Sequence, residues 1–101
     1  MYTIPELLNN LTSIQYDQRI FIIDSNYQQW YIEVEESYDE ETEECFPNAR
    51  VQNWDKCYLF SDSTGETVAQ AVSQCLYDVG LIDDATYSQL SWVKPCNYLT
   101  D

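Results

Sequence analysis

Arg19-Ile20-Phe21-Ile22-Ile23-Asp24-Ser25-Asn26-Tyr27-Gln28-Gln29-Trp30-Tyr31-Ile32-Glu33-Val34-Glu35-Glu36 sets the architecture of this chain. Residues 19–24 are apolar on both sides, as in a central strand, and Asp24-Ser25-Asn26 is a turn signal, because Asp and Asn side chains bond their own backbone two residues on. From Tyr27 to Glu36 the pattern alternates, with Trp30, Ile32 and Val34 on one side and Tyr31, Glu33 and Glu35 on the other. Period-two alternation marks a half-exposed strand, so the two segments form a hairpin. Downstream, 49–54 and 56–61 read as one bent strand or two short ones, with Val51, Trp54, Tyr58 and Phe60 as inward candidates. That predicts a third antiparallel strand beside the hairpin.

Helical spacing brackets these strands. Thr3-Ile4-Pro5-Glu6 fits a capping box, and Ile4, Leu7, Leu8 and Leu11 continue one apolar face over about 4–12. Ser63-Thr64-Gly65-Glu66 reads as a second box ahead of Val68, Ala69, Val72, Cys75, Leu76 and Val79, with Gly80 at the helix end, over about 65–79. Asp83 can cap a last helix from Asp84 to Trp92, with Tyr87, Leu90, Trp92 and Val93 facing inward and Lys94-Pro95 stopping it. The expected fold is one α+β domain over 1–101, a small three-stranded antiparallel sheet in the order α-β-β-β-α-α, with its helices on one face.

Composition narrows the chemistry. The 101 residues hold 18 Asp or Glu against 4 Lys or Arg, for a formal charge of −14, and no His. With 45% hydrophobic and 15% aromatic residues the chain is too apolar for a disordered acidic tail. Direct binding to nucleic acid or to an anionic membrane is disfavoured, since affinity for phosphate comes from Lys and Arg. The longest apolar run, Ile20 to Ile23, is far short of a membrane span, and no signal-peptide pattern opens the chain. The expected location is the cytoplasm. In a reducing cytosol Cys45, Cys57, Cys75 and Cys96 are expected as free thiols, and with no CxxC pair and no His a zinc site is not expected. A nucleophilic Cys needs a positive neighbour or a base, and this acidic surround should raise thiol pKa values instead. No phosphate loop, nucleophile elbow or dinucleotide fingerprint occurs. Neither an enzyme nor a cofactor is expected.

The acidic run is the unusual feature. Between Glu33 and Glu44, 8 of 12 residues are acidic: Glu33, Glu35, Glu36, Asp39, Glu40, Glu41, Glu43 and Glu44. Most charge runs are solvated loops. Here the like charges repel within the compact state, and solubility alone is met by a net charge of roughly 2–8 in magnitude. Carboxylates in that density also suit Ca²⁺, but the run lacks a recognised ligand spacing. Read as an extended loop, 12 residues at about 3.3 Å each span about 40 Å, one charge per roughly 5 Å; a nucleic-acid strand carries one per about 3.4 Å. Tyr31 and Tyr38 interleave with the acids, either as cross-strand packing or as aromatic anchors for a partner. Asp78, Asp83 and Asp84 form a second, smaller cluster, in which Asp78 opposes the helix dipole.

In size, charge, Tyr content and the bunching of acids from Glu33 to Glu44, the chain resembles the small DNA-mimic inhibitors of phages and mobile elements, of the anti-CRISPR and anti-restriction type. The resemblance implies a non-enzymatic inhibitor that offers a carboxylate surface to a basic nucleic-acid-binding protein (a CRISPR effector, a restriction enzyme or a nuclease). The expected contact residues are Glu33, Glu35, Glu36, Tyr38, Asp39, Glu40, Glu41, Glu43 and Glu44. The alternative is an immunity or antitoxin-like protein that neutralises a basic nuclease toxin with the same electrostatics. Homodimerisation through an exposed face with Tyr27, Trp30 or Trp92 stays open.

Overall fold

In a computed structural model, which describes residues 1–11, 14 and 16–90, the elements run β1 (Tyr2–Thr3), α1 (Ile4–Asn10), β2 (Arg19–Ile23), β3 (Gln29–Asp39), β4 (Glu44–Asn53), β5 (Phe60–Thr64), α2 (Val68–Asp78) and α3 (Asp84–Leu90). The class is α+β, but the sheet is larger than the alternation predicts. It has five strands in the order β1-β2-β3-β4-β5. It is also mixed, since β1 runs parallel to β2 while every other pair is antiparallel.

The two extra strands explain themselves physically. β1 is two residues long and merges into the N-cap of α1, leaving no periodic signal. Its Thr3 accepts the Glu6 N–H while the Glu6 carboxylate accepts the Thr3 N–H at 3.1 Å, the capping box the sequence predicts. β5 is Phe60-Ser61-Asp62-Ser63-Thr64, four polar residues in five, so it reads as a loop and cap. Ser63 and Thr64 therefore do not cap α2. Thr67 does, its hydroxyl accepting the Gln70 N–H at 3.1 Å. Gly65 closes against the first turn of α2 instead: a Cβ there would lie 2.8 Å from the Ala71 nitrogen. Gly80 does end its helix as predicted, at φ +80°.

One face of the sheet makes the core. Ile20, Ile22, Trp30, Ile32, Val34, Ala49 and Val51 point to α1 and α2, where Leu7, Ala71, Val72, Cys75 and Leu76 meet them. Val51 is buried as expected, but Trp54, Tyr58 and Phe60 are exposed, and Phe21 is partly so. Trp30 is buried, so it offers no dimer surface, whereas Tyr27 is exposed at the β2–β3 turn. Asp83 caps α3, accepting the Thr86 N–H at 2.8 Å, and Leu90 is buried. Trp92, Val93, Lys94-Pro95, Cys96 and the far end of the first predicted helix at Thr12 lie outside the described residues. No helix among the described residues is long and apolar enough to cross a membrane.

Candidate functional site: an acidic arm and an open sheet face

The acidic run is not a loop. β3 continues to Asp39 and returns as β4 from Glu44, with Asp39 opposite Glu44, Tyr38 opposite Cys45 and Glu36 opposite Pro47. Glu40 to Glu43 make the turn. The Asp39 carboxylate accepts the Glu41 N–H at 2.9 Å, the Asp39 carbonyl accepts the Glu43 N–H at 2.8 Å, and Glu43 takes φ 58°. Acidic strand residues disguised the pairing, because Asp and Glu are depleted in strands and like charges oppose each other here.

β2 pairs with β3 only as far as Glu33, and β5 with β4 only from Asn48. Two further bonds from the Asp17–Gln18 segment reach Val34, at 2.7 and 3.3 Å. Beyond them, among the described residues and apart from one bond from Gly65 to Pro47, β3 and β4 pair only with each other, making a two-stranded arm. Pro47 suits its position: its carbonyl accepts the Gly65 N–H at 3.2 Å, so its ring nitrogen faces the same outer edge, where no ladder donor is required. The arm carries Glu35, Glu36, Asp39, Glu40, Glu41, Glu43 and Glu44, with no basic residue among 35–46. Glu36 lies beside the Cys45 thiol and holds its pKa up, chiefly by hydrogen bonding. Burial, and then Glu36, raise Tyr16 as well.

Period two divides the run between the two sides of the arm. Glu35, Asp39 and Glu44 share the open face of the sheet with Glu33, whereas Glu36 and Tyr38 lie on the opposite side. Glu33 stands apart from the rest of the run. Its carboxylate meets Arg19 at 2.7 Å, and Arg50 sits opposite it on β4. Tyr38 is 59% exposed on the arm. Tyr31 packs instead, its ring against Phe21 and Trp54 at 6.4 and 5.9 Å and its hydroxyl bonded to Gln52. Asp78 lies far from the arm in the chain and is engaged structurally, accepting the hydroxyls of Ser61 at 3.1 Å and Ser63 at 3.4 Å and the amide of Gln74 at 2.8 Å.

The open face holds an order that sequence alone did not reveal. Register aligns Arg19, Glu33, Arg50 and Asp62 in one row across four strands, with signs alternating, and a second ion pair joins Arg50 to Asp62 at 3.2 Å. The adjacent row is Phe21, Tyr31, Gln52 and Phe60, flanked by Trp54, and the Arg50 guanidinium lies 5.6 Å from the centre of the Phe60 ring. These residues lie up to 43 positions apart (62 − 19) in the chain, so only the register brings them together. Among the described residues no group of three His, Cys, Asp or Glu is disposed to hold a metal ion. Comparison with protein-family models, curated proteins and solved structures gives no match.

Proposed function

We propose that the chain is a non-enzymatic inhibitor whose acidic arm occupies the basic nucleic-acid-binding site of a host defence protein, in place of DNA or RNA. The supporting observation is the folding of the acidic run into a hairpin. Glu35 to Asp39 cover four steps of about 3.4 Å, about 14 Å, and the turn from Glu40 to Glu43 adds roughly one step more, for an arm of about 17 Å. Seven carboxylates over that length (Glu35, Glu36, Asp39, Glu40, Glu41, Glu43 and Glu44) give one charge per about 2.4 Å. A nucleic-acid single strand carries one per about 3.4 Å and a duplex one per about 1.7 Å. The arm thus falls between the two, where the extended loop would have fallen short of both. A cationic groove shaped for phosphates attracts such a surface over long range, and the encounter accelerates at low salt.

The test is competition. Purified protein titrated into a CRISPR effector or restriction nuclease carrying labelled nucleic acid should release the label, and its association should slow steeply as salt rises past about 0.15 M. Retention of the label across a panel of such proteins, or association indifferent to salt, overturns the reading.

A further inference from the structure

The row Arg19, Glu33, Arg50 and Asp62 on the open sheet face carries two charges of each sign in a molecule of net charge −14, and the face leaves Phe21, Trp54 and Phe60 exposed at 37, 54 and 51%. Exposed rings grouped on one flat face mark a protein contact. The charge row beside them selects the partner. We propose that this face is a self-complementary interface for a second copy of the chain.

The argument is one of symmetry. Two sheets stacked face to face about a two-fold axis parallel to the strands place β2 over the other copy's β5 and β3 over its β4. The row Arg19–Glu33–Arg50–Asp62 then lies over Asp62–Arg50–Glu33–Arg19, so every charge faces its opposite. In the next row Phe21 lies over Phe60. A two-fold axis across the strands instead sets Arg19 on Arg19 and Glu33 on Glu33, and every contact repels. Only the strand-parallel axis is favourable, and it agrees with the aligned packing that twisted sheets adopt. A two-fold pairing of this kind is closed, so it stops at the dimer. It also brings both acidic arms to the same end, where their mutual repulsion keeps association weak. The footprint is modest too: four strands at about 4.8 Å spacing are about 19 Å across.

Sedimentation equilibrium from about 5 µM to about 500 µM tests this directly. The wild-type mass should climb toward two chains. The double variant Arg19→Glu, Arg50→Glu makes the row wholly negative, and Glu33→Arg, Asp62→Arg makes it wholly positive; each alone should stay monomeric. Mixed in equal amounts they should associate again. Their net charges are −14 − 4 = −18 and −14 + 4 = −10, so overall attraction cannot account for that recovery. Phe60→Ser leaves the charges alone and should weaken the wild-type dimer about tenfold or more, through lost apolar burial. Circular dichroism confirms that each variant is folded. A wild type monomeric throughout, one-signed variants that pair as the wild type does, or folded variants that fail to pair when mixed each overturn the proposal.

Discussion

The Asp24 carboxylate accepts the indole N–H of Trp30 at 3.1 Å across the turn that joins β2 to β3. Its other oxygen accepts the N–H groups of Asn26 at 2.8 Å and Gln28 at 3.0 Å. One side chain therefore shapes the turn, which takes Tyr27 through φ 63°, and satisfies the polar atom of a buried core aromatic. Asp24→Ala leaves that indole N–H without an acceptor inside the fold. The expected loss is about 1.5–3 kcal/mol, since a charged acceptor is removed and a donor is stranded. Urea unfolding measures it. Asp24→Asn, which retains one acceptor oxygen, should lose less; equal stability of both variants with wild type rejects this role.

Asp78 sits in the last turn of α2, where the helix dipole opposes a negative charge. Its bonds to Ser61 and Ser63 tie that turn to β5, an edge strand of the sheet. The two effects have opposite signs, and several hydrogen bonds outweigh a dipole term of about 0.3–1 kcal/mol. Asp78→Ala should therefore destabilise by about 1 kcal/mol, a fall in melting temperature of about 4–8 °C for a domain of this size. Amide exchange along 60–64 should accelerate with it. A melting temperature that rises in Asp78→Ala means the dipole term wins.

These two aspartates show where sequence reading succeeds and where it stops. The turn at Asp24 is legible because its chemistry is local: the carboxylate bonds groups two and four residues on. The same holds for Thr3 with Glu6, for Asp83 with Thr86, and for the buried alternation of Trp30, Ile32 and Val34. Asp78 looks unfavourable from its own helix alone, because its partners on β5 lie 15 and 17 residues away. Polar strands fail for a related reason. The arm and β5 are held by backbone ladder bonds rather than by an apolar face, so no hydrophobic period announces them. Exposed Trp54 and Phe60 mislead in the opposite direction, since aromatic residues in a strand normally imply a core beneath them. The acids of the candidate site were visible in the sequence; their division between two sides, and the pairing of Glu33 with Arg19, needed the register.

Asp83 gives the acid limb of stability a sign. Its hydrogen bonds to Thr86 hold its carboxyl below the usual carboxylate pKa. A folded pKa lower than the unfolded one stabilises the protein above the unfolded value, and that contribution is lost as pH falls through the folded value. The difference in unfolding free energy between wild type and Asp83→Ala should therefore be largest near neutral pH and shrink on acidification below the usual aspartate range. A difference constant from neutral pH to pH 3 excludes the cap as the source.

The glycines are held for different reasons and should respond differently. Gly80 adopts φ +80° with open space where a Cβ would stand, so Gly80→Ala meets only backbone strain, about 1 kcal/mol. At Gly65 a Cβ would press within 2.8 Å of a backbone nitrogen and 2.9 Å of the Gln70 Cβ. Since backbone cannot swing aside, Gly65→Ala should cost more, about 1–3 kcal/mol, by displacing β5 from α2. Gly80→Asn should recover part of the loss at its site, because Asn tolerates the left-handed region. Chemical denaturation of the three variants gives the ranking, and a smaller loss at Gly65 than at Gly80 contradicts it.

If the arm is there to meet a cationic groove, its charges are held against the interest of the fold. Asp39 opposes Glu44, and Glu40, Glu41 and Glu43 crowd the turn between them, so like charges oppose one another at the tip. Neutralising Glu40→Gln, Glu41→Gln and Glu43→Gln together takes the net charge to −14 + 3 = −11 and leaves the Asp39 turn bond intact. The triple variant should melt a few degrees higher than wild type at low salt, because self-repulsion is relieved. That gain should fade by about 0.5 M salt, where screening already does the same work. In the competition assay it should be weaker by about tenfold or more, chiefly through slower association. Stability and competition thus move in opposite directions on the same three residues. Acids that merely keep the protein in solution predict the first change without the second, so a triple variant that is more stable and still displaces nucleic acid as well as wild type separates a solubilising arm from a binding one.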